Sequence, residues 1–211
     1  MNTLVKLLLI EAVILVGQVV LYYGCEFLQH DFHDVKRPVD EKVPVLPWTT
    51  GIYVMWFPMI FFFPFLSYFC SKSNYVVYQI AIIASNIISP IVYLIYPTTF
   101  HRDPPPATAA GWALGFVYKA SFRGINCAPS LHCSQCMIVM AAAIMCSGMN
   151  IWLRLLFIIL SAAIIVATQT TKQHVLTDAV SAIPVAAVSV LLGIAAVRFL
   201  DACSWLELLG L

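Results

Sequence analysis

The chain has 211 residues, of which 62% are hydrophobic and only 10% charged, with a mean hydropathy of +0.92. Soluble domains carry about a quarter charged residues, so this composition excludes a water-soluble fold and indicates an integral membrane protein. A formal net charge of +1 excludes the strongly basic balance of a nucleic-acid binder, and the 7 cysteines, mostly inside or beside apolar runs, form no disulfide framework.

The first apolar run, Thr3 to Gly24, is long enough at about 1.5 Å per residue to cross a bilayer core of roughly 30 Å. Its apolar part exceeds that of a signal peptide and no Ala-x-Ala-like site follows, so it reads as a retained helix. Glu11 and Gln18 stand seven apart, hence on one face, which is expected to point into the bundle. A polar loop from Cys25 to Trp48 follows. Within it His30 and His33 have metal-ligand spacing, but with no third ligand in view they read as solvated loop residues. The second span, Thr49 to Cys70, contains Pro58 and Pro64, which are expected to kink it. A turn at Ser71 to Asn74 leads to the third span, Tyr75 to Tyr96.

The longest polar region, Pro97 to Ala128, is too rich in prolines and charges to span, although Trp112 to Phe122 reads as an interfacial helix with Lys119 and Arg123 as headgroup anchors. The fourth span starts near Ser130. Cys133 and Cys136 on its opening turn form a C-x-x-C, but without a second pair this is no zinc or redox site. The turn Ser147 to Asn150 leads to the fifth span, Ile151 to Thr168, and the linker Gln169 to Gln173 enters the sixth, His174 to Phe199. The expected fold is an all-α polytopic membrane protein, residues 1–211 forming one six-helix transmembrane bundle without repeat or second domain. Arg102, Ser130, His132, Lys172 and His174 all fall on its loop-rich face, and cleavage of the first span would leave that face unchanged.

The chemistry concentrates at Thr170-Thr171-Lys172-Gln173-His174-Val175-Leu176-Thr177-Asp178. If the sixth helix begins at His174, His174 and Asp178 share one helical face. A carboxylate on one ring nitrogen fixes the imidazole tautomer and leaves the other nitrogen free as nucleophile or base. A second histidine, His132 of Pro129-Ser130-Leu131-His132, stands at the mouth of another apolar segment. Two histidines, a carboxylate, a serine and two cations, without an acidic metal cluster, suit attack on phosphorus with no metal or other cofactor. In this reading His174 is the nucleophile, His132 the general acid, and Arg102, Ser130 and Lys172 hold the phosphate of a lipid substrate.

These residues resemble the type-2 phosphatidic acid phosphatase superfamily. Pro129-Ser130-Leu131-His132 is similar to its middle motif, Pro-Ser-x-His, and His174-x-x-x-Asp178 to the end of its third, Ser-Arg-x5-His-x3-Asp. The resemblance implies a general acid at His132, a nucleophile at His174 partnered by Asp178, the first-motif arginine at Arg102, and an extracytoplasmic site. The chain departs from the pattern at three places: Asp103 follows Arg102 where proline is expected, the first-motif lysine is missing, and Ala167-Thr168 replaces Ser-Arg. The Thr-x-Lys-Gln-His run and Asp40-Glu41-Lys42-Val43-Pro44 look more like the inositolphosphotransferase and sphingomyelin-synthase-like branch. Two activities therefore stand open, hydrolysis of a lipid phosphate ester and transfer of a phospho-headgroup to a lipid alcohol. Lysine and arginine are nearly balanced between the two faces once Arg102 and Lys172 are set aside, so charge does not orient the bundle.

Overall fold

The computed structural model describes residues 2–121, 123–199 and 203–211. They form a helical bundle, and five of the helical segments are long and apolar enough to cross a membrane, as in an integral membrane protein: Thr3–Glu26, Pro47–Cys70, Lys72–Ile95, Ile151–Thr170 and Leu176–Phe199.

Helix α1 (Thr3–Glu26) is apolar nearly all round, and its few polar side chains turn inward as expected. Buried Glu11 accepts a hydrogen bond from Gln79 at 2.9 Å, and Gln18 accepts one from Gln135 at 2.9 Å. The second expected span is interrupted at Met55. A 3-10 turn at Pro47–Thr49 leads into α2 (Thr50–Val54), and α3 (Trp56–Cys70) starts after Met55. The Pro58 ring has no N–H to give the Val54 carbonyl and would collide with it, so the break falls one turn ahead of that proline. Pro64 is accommodated inside α3.

Ser71 caps α4 (Lys72–Ile95) by accepting the Asn74 N–H at 3.2 Å, which starts this helix three residues before the expected Tyr75. The two-residue strands β1 (His33–Asp34) and β2 (Thr98–Thr99) pair in parallel and tie the first polar loop to the second. In the second loop α5 (Ala109–Ala120) buries Leu114 and exposes Trp112 and Phe116, as an interfacial helix should; Phe122, its expected last residue, lies outside the described residues.

Helix α6 (Leu131–Met145) has 15 residues, about 22 Å of length, and so is shorter than the full fourth span expected. Pro129 precedes it and the turn around Gly148 ends it. Its Cys133, Cys136, Ala142 and Ala143 are small and buried, which lets α6 sit in the centre of the bundle. Its Ile138 and Val139 pack with Phe63, Tyr78 and Ile164 in the core. Helices α7 (Ile151–Thr170) and α8 (Leu176–Phe199) follow, with a short α9 (Ser204–Leu208). A Cβ on Gly193 of α8 would stand 2.4 Å from the Val77 carbonyl of α4, so these two helices meet backbone to backbone. The ends of α1 and α4, the break between α2 and α3, and the starts of α6 and α8 converge at the end of the bundle that carries both long loops.

Candidate active site

The linker between α7 and α8 is shaped by a Schellman turn. The Gln173 N–H returns to the Thr168 carbonyl at 3.0 Å and the Lys172 N–H to that of Gln169 at 3.2 Å. The turn needs a left-handed residue, and here it is Lys172, with φ of 52°. A side chain in that region costs about 1–2 kcal/mol. The lysine has a compensating role: its Nζ donates to the carbonyls of Asp40 and Val43, each at 2.7 Å. Partial burial pulls its pKa below the usual lysine range, with Asp40 opposing the shift.

This turn delivers His174 to the site ahead of the helix, because α8 begins at Leu176 and not at His174 as expected. The pairing with Asp178 therefore arises differently from a shared helical face. Asp178, in the first turn of α8, reaches back to accept the Val175 N–H at 3.1 Å and His174 Nδ1–H at 3.0 Å with the same oxygen, Oδ2. It stands at the helix N-terminus as the acidic half of a capping box. With Nδ1 engaged, the lone pair of His174 lies on Nε2.

Ser130 caps α6 by accepting the Cys133 N–H at 3.2 Å, and its own N–H donates to the Asp178 carbonyl at 3.1 Å. The cap joins the mouths of α6 and α8 and brings His132 to His174, with ring centroids 5.6 Å apart. Tyr53 shares a 3.0 Å hydrogen bond with His132 Nε2, and the Trp56 ring packs 4.5 Å from the imidazole. Both aromatics come from the broken α2–α3 segment.

His132 and His174 line a cavity of about 360 Å³. Its outer rim is apolar, with Val19, Tyr23, Phe57 and Phe116 exposed. Ser130 is fully buried and lines no part of it. Nor do Arg102 and Lys172, which line a second cavity of similar size with Lys36, His101 and Tyr118. Arg102 stands at the wall between the two. Its guanidinium packs near the Phe100 and Tyr118 rings and donates to Ser121 Oγ at 2.9 Å, and Ser121 lines the histidine cavity. The sequence-predicted residues thus separate into a histidine–aspartate pair with His132 on one side and two cations on the other. Lys172 differs most from expectation, since its ammonium clasps loop carbonyls.

Arg123, expected as a headgroup anchor, lines the histidine cavity and pairs with Glu26, 3.6 Å away; Lys119 is exposed. His30 is exposed beside Asp31, and His33 stacks on Tyr96 at 4.2 Å. Cys133 and Cys136 are buried free thiols, Cys133 lying 3.6 Å from the Thr168 hydroxyl. Sequence reasoning missed Asp40, whose carboxylate caps α8 from the distant first loop, and Tyr53, for which an apolar run offered no signal. No protein-family model, curated protein or solved structure matches the chain.

Proposed function

We propose that this chain is a multipass membrane enzyme that hydrolyses a lipid phosphate ester through a phosphohistidine on His174. The observation that carries the reading is the facing pair: two imidazoles at 5.6 Å on one cavity, one of them anchored through its far nitrogen to a buried aspartate. His174 Nε2 attacks phosphorus while the bond from phosphorus to the lipid oxygen breaks. The departing oxygen takes its electron pair and a proton from His132, displacing the Tyr53 hydroxyl. His132 then removes a proton from water, the hydroxide attacks phosphorus, and the phosphorus–nitrogen bond breaks to release phosphate and restore His174. Asp178 holds the Nδ1–H throughout and stabilises the positive charge that the ring gains once Nε2 is bonded to phosphorus. No step draws on a metal or other cofactor.

In the same reading α6 supplies the sixth crossing and the site lies at the extracytoplasmic face. A second reading, transfer of the phospho-headgroup to a lipid alcohol, is favoured by the apolar rim of the cavity, which suits an acyl-bearing acceptor better than bulk water. A product assay in reconstituted vesicles tests both. Inorganic phosphate from phosphatidic acid supports hydrolysis, a new phosphodiester supports transfer, and neither product across a broad lipid panel overturns the enzyme reading. For sidedness, an impermeant thiol reagent is applied to a His30→Cys variant, this residue being exposed in the first loop. Labelling from the cytoplasmic side alone overturns the orientation.

A further inference from the structure

Gln173 precedes the candidate nucleophile, lines the same cavity as His132 and His174, and is 4% exposed. Its backbone is held by the Schellman turn, so the side chain leaves from a fixed point. Its Oε1 accepts the Ser121 hydroxyl proton at 3.0 Å, a shorter contact than the 3.2 Å from that hydroxyl to the Val117 carbonyl, and Ser121 Oγ in turn accepts from Arg102 at 2.9 Å. The other end of the amide, Nε2, is buried and has no hydrogen-bond partner among the described residues. A buried amide donor left open is unfavourable unless something else occupies it. Here the carbonyl end is committed to Ser121, which leaves the two N–H groups as the open donors of a side chain that lines the cavity. Arg102 at the head of the relay polarises both hydrogen bonds towards greater donor strength.

We propose that Gln173 Nε2 is a substrate ligand, donating to a non-bridging oxygen of the phosphoryl group presented to His174. The inference rests on the phosphohistidine reading and adds an uncharged donor that the histidine pair alone does not provide. It also gives Arg102 a role from outside the cavity: it holds the amide through Ser121 and does not touch the phosphate itself. An oxyanion on Nε2 makes a charge-assisted hydrogen bond, which strengthens as charge moves onto the equatorial oxygens in the transition state.

The test compares full-length wild type with Gln173→Leu, Gln173→Glu and His174→Ala in lipid nanodiscs, using orthovanadate as the probe and phosphatidic acid as the substrate. Calorimetric vanadate affinity is expected to fall about 10-fold in Gln173→Leu and further in Gln173→Glu, with kcat/KM falling about 100-fold in Gln173→Leu. The order of the two variants separates a ligand from a packing residue. Glutamate keeps the shape of glutamine and spares the fold, but turns a carboxylate towards the anion; a packing role makes leucine the more damaging change. Vanadate affinity unchanged in Gln173→Leu, or Gln173→Glu binding better than Gln173→Leu, overturns the assignment. If His174→Ala keeps full turnover, the phosphohistidine reading falls first and the ligand role with it. If His174→Ala is dead while Gln173→Leu matches wild type, only the inference about Gln173 is lost.

Discussion

The carboxylate of Asp40 accepts the backbone N–H of Leu176 at 2.8 Å, although the two residues stand 136 positions apart. Its other oxygen accepts the Arg37 N–H at 2.7 Å, and its backbone carbonyl holds Lys172. One buried aspartate in the first loop thereby fixes both the start of α8 and the turn that presents His174. Asp40→Ala is expected to cost about 1–2 kcal/mol, in line with loss of a helix cap. In thermal unfolding that corresponds to about 2–4 °C per kcal/mol for a chain of this size. Asp40→Asn should keep most of the stability, and equal melting of all three proteins refutes the cap.

Lys172 distinguishes a structural cation from a phosphate ligand. Lys172→Gly relieves the left-handed backbone while losing the clasp, whereas Lys172→Ala loses the clasp and keeps the strain. The glycine variant should be more stable than the alanine variant by about 1 kcal/mol. Neither should change KM by more than about twofold, since the ammonium does not face the histidine cavity. A large KM increase at unchanged stability would return Lys172 to the substrate.

His174→Ala is expected to abolish phosphoenzyme trapping and to lower turnover by about 10³-fold or more, because the variant lacks the proposed nucleophile. Asp178→Asn should lower turnover less. It removes the charge that supports the imidazolium, and it also weakens the hydrogen bond from the Val175 N–H, so some stability goes with it. Rapid-quench trapping of labelled enzyme distinguishes the two variants.

His132→Ala should lose far more rate on a lipid phosphate than on p-nitrophenyl phosphate, because a lipid alkoxide must be protonated to leave and p-nitrophenolate needs little help. With the activated substrate the variant should accumulate phosphohistidine, as the proposed base for water is gone. Equal losses on both substrates, without accumulation, would reduce His132 to a positioning role.

Much of this arrangement was legible in the sequence, for reasons that particular residues make plain. Glu11 and Gln18 were placed inward because polar groups in an apolar run have few other places to go, and both found amide partners. His132 and His174 were paired because each stands beside a helix mouth on the loop-rich side. What escaped was set by backbone details with no residue-type signal. A left-handed lysine carries no glycine mark, so the turn that swings Lys172 away from the cavity was invisible. The start of α8 was misplaced by two residues because Asp178 reaches backward along the chain, which a periodic reading cannot register. The break at Met55 was only half foreseen: the prolines announced a disturbance, but not that it would bring Tyr53 and Trp56 against His132.

The tilted packing of the Trp56 ring against His132 has an optical consequence. An indole emits differently beside a neutral imidazole than beside a cationic one, so the charge on the proposed acid is written into the protein's own fluorescence. Four of the 5 tryptophans supply background, and the difference between wild type and Trp56→Phe removes it. Protonation of His132 then becomes a signal followed in real time, in intact bilayers and without a label.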